Sequence, residues 1–164
     1  MKKVILSAIA IMTIGFANAQ DFKYGVKGGL DLVSVSFGGA SESLTGFFVG
    51  GFAEFGIADK FVMQPGIAYH TASKDLGGFT VKANFLSIPV LFKYEVAEKI
   101  NVIAGPSLFY DLDSEVTTDK TRFNLELGGS YDITENFFVE PRYAINLNGV
   151  AKINHFLIGV GYKF

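Results

Sequence analysis

The sequence predicts an all-β protein: an eight-stranded antiparallel up-and-down transmembrane β-barrel over residues 20–164, preceded by a cleaved signal peptide over residues 1–19. Three observations predict it. Eight segments alternate apolar and polar residues with a period of two. The connectors alternate between short turns and longer loops, the arrangement of bilayer-spanning barrels. The composition is 49% hydrophobic and 15% aromatic but only 18% charged, against about 25% charged in an ordinary globular chain. That apolar content excludes a disordered chain. No segment beyond residue 19 supplies the roughly 18 uncharged apolar residues that a spanning helix requires. With no Cys in the chain, disulfides and a lipid-modified cysteine are excluded.

Residues 1–19 carry the three parts of a secretory signal. Lys2 and Lys3 form a positive start, Val4 to Phe16 is an apolar run, and Ala17-Asn18-Ala19 is a small-x-small cleavage site before Gln20. Cleavage removes two Lys and no acid, so the net charge moves from −2 to −4. A mildly acidic chain without a basic patch excludes nucleic acid as a partner.

The first strand sets Phe22, Tyr24, Val26, Gly28, Leu30 and Leu32 against Lys23, Gly25, Lys27, Gly29 and Asp31. Strands follow near 44–56, 61–71, 84–95, 101–111, 122–132 and 137–147. The last sets Phe156, Ile158, Val160, Tyr162 and Phe164 against His155, Leu157, Gly159, Gly161 and Lys163. Each is about as long as a tilted strand crossing a bilayer. Short turns fall at Ala58–Lys60, Val96–Lys99 and Ile133–Asn136. Longer polar or Gly-rich loops fall near 36–43, 72–83, 112–121 and 148–153. A weak repeat marks the short turns: Ile57 to Pro65 resembles Ile133 to Pro141, with a partial copy at Val96–Ile100.

One face of these strands carries no charge. Its aromatic residues gather at both strand ends, as expected for girdles at the membrane–water boundary. The other face carries Lys23, Lys27, Asp31, Glu54, Gln64, Lys93, Glu126, Glu140, Arg142 and Lys163, together with many glycines. Glycine weakens a solvated strand, but a narrow lumen needs small residues interleaved with large ones. Phe48, Phe52, Leu91, Ile103, Phe109 and Phe138 also fall on this inward face, as plugs of the lumen or signs of a register slip at a bulge. Pro65, Pro89, Pro106 and Pro141 stand inside strands, where proline ordinarily marks an edge or bulge that a closed barrel does not have. They favour the alternative of a soluble lipocalin-like carrier.

Several stretches carry a family resemblance: Ala19-Gln20, Gly50 to Phe55, Met63 to Ile67, Ser87 to Tyr94, Gly105-Pro106 and Gly159 to Phe164. On these, residues 20–164 resemble the small outer-membrane β-barrel domain family common in Bacteroidetes, the PorT-like group. Membership implies residence in the outer membrane of a Gram-negative bacterium, contact with its lipid, and insertion by the barrel-assembly machinery. In that family prolines recur at such strand positions. The last strand, ending Tyr162-Lys163-Phe164, also resembles the assembly signal of outer-membrane barrels. The family is defined by fold and its members' roles vary.

The residues point to no catalysis and no cofactor. His70 and His155 are the candidate bases, and neither forms the alternating His-x-Ser pair of the deacylase barrels. The two His with Asp31 or Asp111 offer metal-ligating side chains, but their spacing matches no zinc pattern. There is no phosphate loop. A hairpin centred near Thr134 places Glu126 opposite Arg142 on the inward face, with Glu140, Lys163 and Lys27 nearby as a lumen ion network. The function expected is that of a monomeric structural or interaction barrel with a filled lumen and an unidentified partner at its loops. The alternatives are a small pore and the soluble carrier.

Overall fold

The computed structural model describes residues 22–75, 80–113, 120–149 and 151–164, except the side chains at 37 and 40. The signal peptide expected over 1–19 lies outside the described residues. The strands are β1 (Phe22–Phe37), β2 (Ala40–Ala58), β3 (Phe61–Asp75), β4 (Thr80–Ala97), β5 (Ile100–Asp111), β6 (Thr121–Asp132), β7 (Phe137–Asn146) and β8 (Lys152–Lys163). Each pairs antiparallel with the next, and β8 returns to β1, so the sheet closes.

The inside–outside phase read from the sequence holds along all eight strands. Leu30, Val49, Ile67, Leu127 and Ile158 are exposed on the outer face. Phe48, Phe52, Leu91, Ile103, Phe109 and Phe138 are buried inside, as plugs and not as products of a register slip. Phe55 and Pro65 depart from the pattern, since both fall on the outer face and are buried. Phe55 packs against the Phe22 ring at 5.2 Å and stands opposite Met63.

The ends of the strands differ from expectation on the loop side. Residues 36–43 are not a loop: β1 runs into β2 through a turn at Gly38-Gly39, whose φ angles of 59° and 88° suit residues without Cβ. Strand β3 likewise extends to Asp75, and β4 starts at Thr80. The added residues are largely polar, among them Ser34, Ser36, Ser41 and Ser43. Polarity ends the lipid-facing pattern there, while backbone pairing continues above it. Strands β1–β4 are therefore 16, 19, 15 and 18 residues long, against 12, 12, 10 and 12 for β5–β8. One half of the barrel wall is taller than the other.

The repeated short turns share a geometry at two of their three copies. Lys60 and Lys99 both sit at positive φ, 60° and 66°, and each turn is preceded by a register shift, at Gly56/Ala58 and Glu95/Ala97. The third copy is built differently. Thr134 Oγ1 accepts bonds from the backbone N of Asn136 and Phe137, and Ile133 N donates to Phe137 O. This closes the turn about Glu135, one residue later than expected. Glu126 consequently stands opposite Ala144, and Arg142 opposite Gly128. The shift between strands is two residues, so both side chains keep the inward face.

The prolines coexist with closure through local gaps in the ladders. The β2–β3 register breaks between Phe52↔Gly66 and Phe55↔Met63, beside Pro65. The β6–β7 register breaks between Gly128↔Arg142 and Tyr131↔Val139, beside Pro141. Each proline lacks one donor, and the cost stays local because neighbouring pairs resume in the same register.

Candidate functional site: the filled lumen

Alternate residues of eight strands converge on a lumen only wide enough for side chains. Glycines make its large residues fit. A Cβ at Gly25 would strike the Phe52 ring, one at Gly159 the Phe48 ring, and one at Gly161 the Phe138 ring. Each ring thus occupies the space that a facing glycine leaves. Toward the loop side, Val33, Leu44, Ala72, Phe85, Phe109, Ala144 and Ile153 form an apolar cap.

Below that cap a polar network crosses the bore. Arg142 on β7 forms an ion pair with Glu126 on β6, and its Nε lies 2.9 Å from Glu140 Oε1. Glu140 accepts from Lys27 Nζ on β1 at 2.8 Å. Lys27 also donates to Gln64 Oε1 on β3 at 2.7 Å. Gln64 Nε2 donates to Glu54 Oε1 on β2 at 2.9 Å, and Lys93 Nζ on β4 donates to the same oxygen at 2.9 Å. The chain of contacts links β6, β7, β1, β3, β2 and β4 without interruption. Its cations also rest on the plugs: Lys27 lies 5.3 Å from the Phe52 ring and Lys93 5.1 Å from the Phe138 ring. Such contacts strengthen when desolvated.

Of the residues expected in the network, Lys27, Glu126, Glu140 and Arg142 meet directly. Lys163 does not join them. It bonds Asp132 Oδ1 at 2.8 Å near the short-turn rim and lies 5.4 Å from the Phe138 ring. Lys23 is exposed at that rim. Gln64, Glu54 and Lys93 complete the chain, and their inward phase was the signal that could have placed them there. Tyr162 and Phe164 close the outer seam. Phe164 N donates to Tyr24 O at 2.8 Å, and its ring stacks on Tyr24 and meets Tyr162 edge-on.

A second polar cluster sits between this network and the apolar cap. Asp31 on β1 bonds His70 Nδ1 on β3 at 2.8 Å and His155 Nδ1 on β8 at 3.0 Å. His70 Nε2 lies 2.9 Å from Ser87 Oγ on β4. All four residues are at most 2% exposed. Asp111 is not among them. Asp31, His70 and Ser87 stand in the carboxylate–imidazole–hydroxyl order that activates a nucleophilic serine. Catalysis also needs room for a reacting atom about 3 Å from the nucleophile, and donors for the developing oxyanion. Here the rings of Phe48 and Phe109 pack on His70, and the strand amides are engaged in ladders. The arrangement is a buried hydrogen-bond chain.

The same architecture recurs in solved structures. Neisserial surface protein A aligns at a TM-score of 0.65 with 17% identity, over 88% of this chain and 100% of that one. Ail, the attachment invasion locus protein of Yersinia pestis, solved with the heparin analogue sucrose octasulfate, aligns at 0.63 with 14% identity and the same coverage. The outer membrane protein OprG of Pseudomonas aeruginosa aligns at 0.51 with 16% identity, over 90% and 98%. These likenesses show the fold. No curated protein matches the chain in sequence. The outer membrane protein beta-barrel domain model matches residues 4–164. A chain whose outer face is apolar, whose inner face is packed shut and whose sequence matches that model almost from end to end belongs to the outer-membrane β-barrel domain family.

Proposed function

We propose that this outer-membrane barrel is a closed, non-enzymatic, monomeric structural or interaction element of the envelope, and that it conducts neither ions nor solutes. The observation that carries this reading is the continuous contact chain from Glu126 to Lys93, which crosses the bore beneath an apolar cap. A pore needs a water-filled path, and here charged and aromatic side chains occupy it. The surface offered to a partner is the tall half of the wall. There Lys74 pairs with Glu42, and Ser36 bonds Ser41 at 2.9 Å, across paired strands that project past the apolar band.

Residues 1–19 would direct export and be removed. The last strand, ending at Phe164, would present the signal read by the barrel-assembly machinery. The resemblance at Gly50–Phe55 and Ser87–Tyr94 supports the PorT-like group of Bacteroidetes. The functional reading is tested by solute efflux from liposomes carrying the reconstituted, folded barrel. Efflux no faster than from empty liposomes is expected; efflux that scales with protein would favour the pore.

A further inference from the structure

We propose that Asp31, His70 and His155 bind one divalent cation of the zinc class inside the lumen. The residues come from β1, β3 and β8, and one ligand atom from each lies within 4.8 Å of the other two. Two imidazoles and a carboxylate, with no thiolate, form a donor set suited to zinc. Tetrahedral bonds of about 2.0–2.1 Å place ligand atoms about 3.3 Å apart. The contacts from Asp31 to the two Nδ1 atoms, 2.8 and 3.0 Å, lie within tenths of an ångström of that spacing, and the two imidazoles would close on the ion from a separation of at most 4.8 Å.

The balance of charge inside the lumen points the same way. Among the described buried side chains, Glu126 and Glu140 face Arg142 and Lys27, and Glu54 faces Lys93. The ion-pair partners of Asp31 are the two imidazoles, so this fully buried carboxylate lacks a permanent cation. Buried carboxylates are paired, hydrogen-bonded or metal-bound, and a divalent ion between Asp31 and the two imidazoles would supply the fixed charge. The hydrogen-bond chain behind His70 supplies what a metal-bound imidazole uses. With Nδ1 toward the ion, Nε2–H donates to Ser87 Oγ at 2.9 Å, and the Ser87 hydroxyl is directed at Ala68 O, 3.5 Å away. Such outer partners orient the ring and fix its tautomer. His155 Nε2 is buried with no partner among the described residues; its Nδ1–H donates to Asp31 at 3.0 Å, and an ion bound at Nδ1 would take the place of that proton while Nε2 carries the ring's hydrogen.

The site lies between the apolar cap and the ion network, so the ion would enter during folding and then resist chelators. This inference does not depend on the proposed cellular role: a conducting barrel could hold the ion, and a silent one could lack it. The test folds the full mature barrel with Zn²⁺, washes it with EDTA and measures metal by elemental analysis, with folding checked by heat-modifiable mobility. Stoichiometric retained zinc is expected. So is its loss in whichever of Asp31→Asn, His70→Gln and His155→Gln folds, with affinity about 10- to 100-fold weaker in the positioning variant Ser87→Ala. Folding with Co²⁺ should give visible absorption in wild type that is absent from the folded His variants. Folded wild type that retains no metal, or folded His variants that retain as much as wild type, would overturn the proposal.

Discussion

Arg142 holds two carboxylates at once, Glu126 and Glu140, whereas Glu126 has Arg142 as its ion-pair partner. Removing the two ends of this pair should therefore have unequal effects. Arg142→Ala leaves Glu126 buried and unpaired and should cost about 3–5 kcal/mol. Glu126→Ala should cost less, because Arg142 keeps Glu140. The apolar double replacement Glu126→Leu with Arg142→Met strands neither of these two charges and should lie closer to wild type than Arg142→Ala. Urea unfolding in micelles measures all three, and equal losses for the two single variants would break the account. At this scale the sequence showed which residues face inward, because parity alone decides that. It did not show which of them touch. Glu126 and Arg142 meet diagonally because Thr134 shifts the turn by one residue. The meeting of Asp31, His70, His155 and Ser87 depends on four strands arriving at one height, which pairing within a single hairpin does not specify.

Strand β8 joins two elements far apart in sequence, and Phe164 holds the seam through its backbone bond to Tyr24 and its two ring contacts. Deleting Phe164 should lower the heat-modifiable folded fraction; an unchanged yield would mean that the seam closes without it. Packing across β7 and β8 is equally specific. Gly161 stands opposite Phe138, and a Cβ there would strike the ring. Gly161→Val should cost about 1–3 kcal/mol, as overpacking does, and Phe138→Ala in the same chain should relieve part of that loss. Additive losses would show that the two do not compete for the same space. Strand identities were legible from period two. Strand ends were not, because β1 to β4 continue into polar sequence where alternation no longer reports burial, and Gly38-Gly39 reads equally well as a loop or as the tip of a hairpin.

The molecule as a whole turns an apolar face outward to lipid and packs its bore with side chains. Leu127 and Ile158 are 43% and 44% exposed on the outer face, so Arg at either should cost about 2–4 kcal/mol near the bilayer midplane while Ala is tolerated. Unchanged folding yield with Arg at both would remove the lipid assignment. The bore is the more decisive half. Phe48, Phe85 and Phe109 obstruct it above the charged chain that runs from Glu126 to Lys93. The most direct measurement is single-channel recording in planar bilayers, on wild type and on a variant with Phe48, Phe85 and Phe109 replaced by Ala together with Arg142→Ala. A filled barrel predicts no steady current from folded wild type and open-channel events once plug and network are cut. Steady current from wild type, unchanged in that variant, would contradict it.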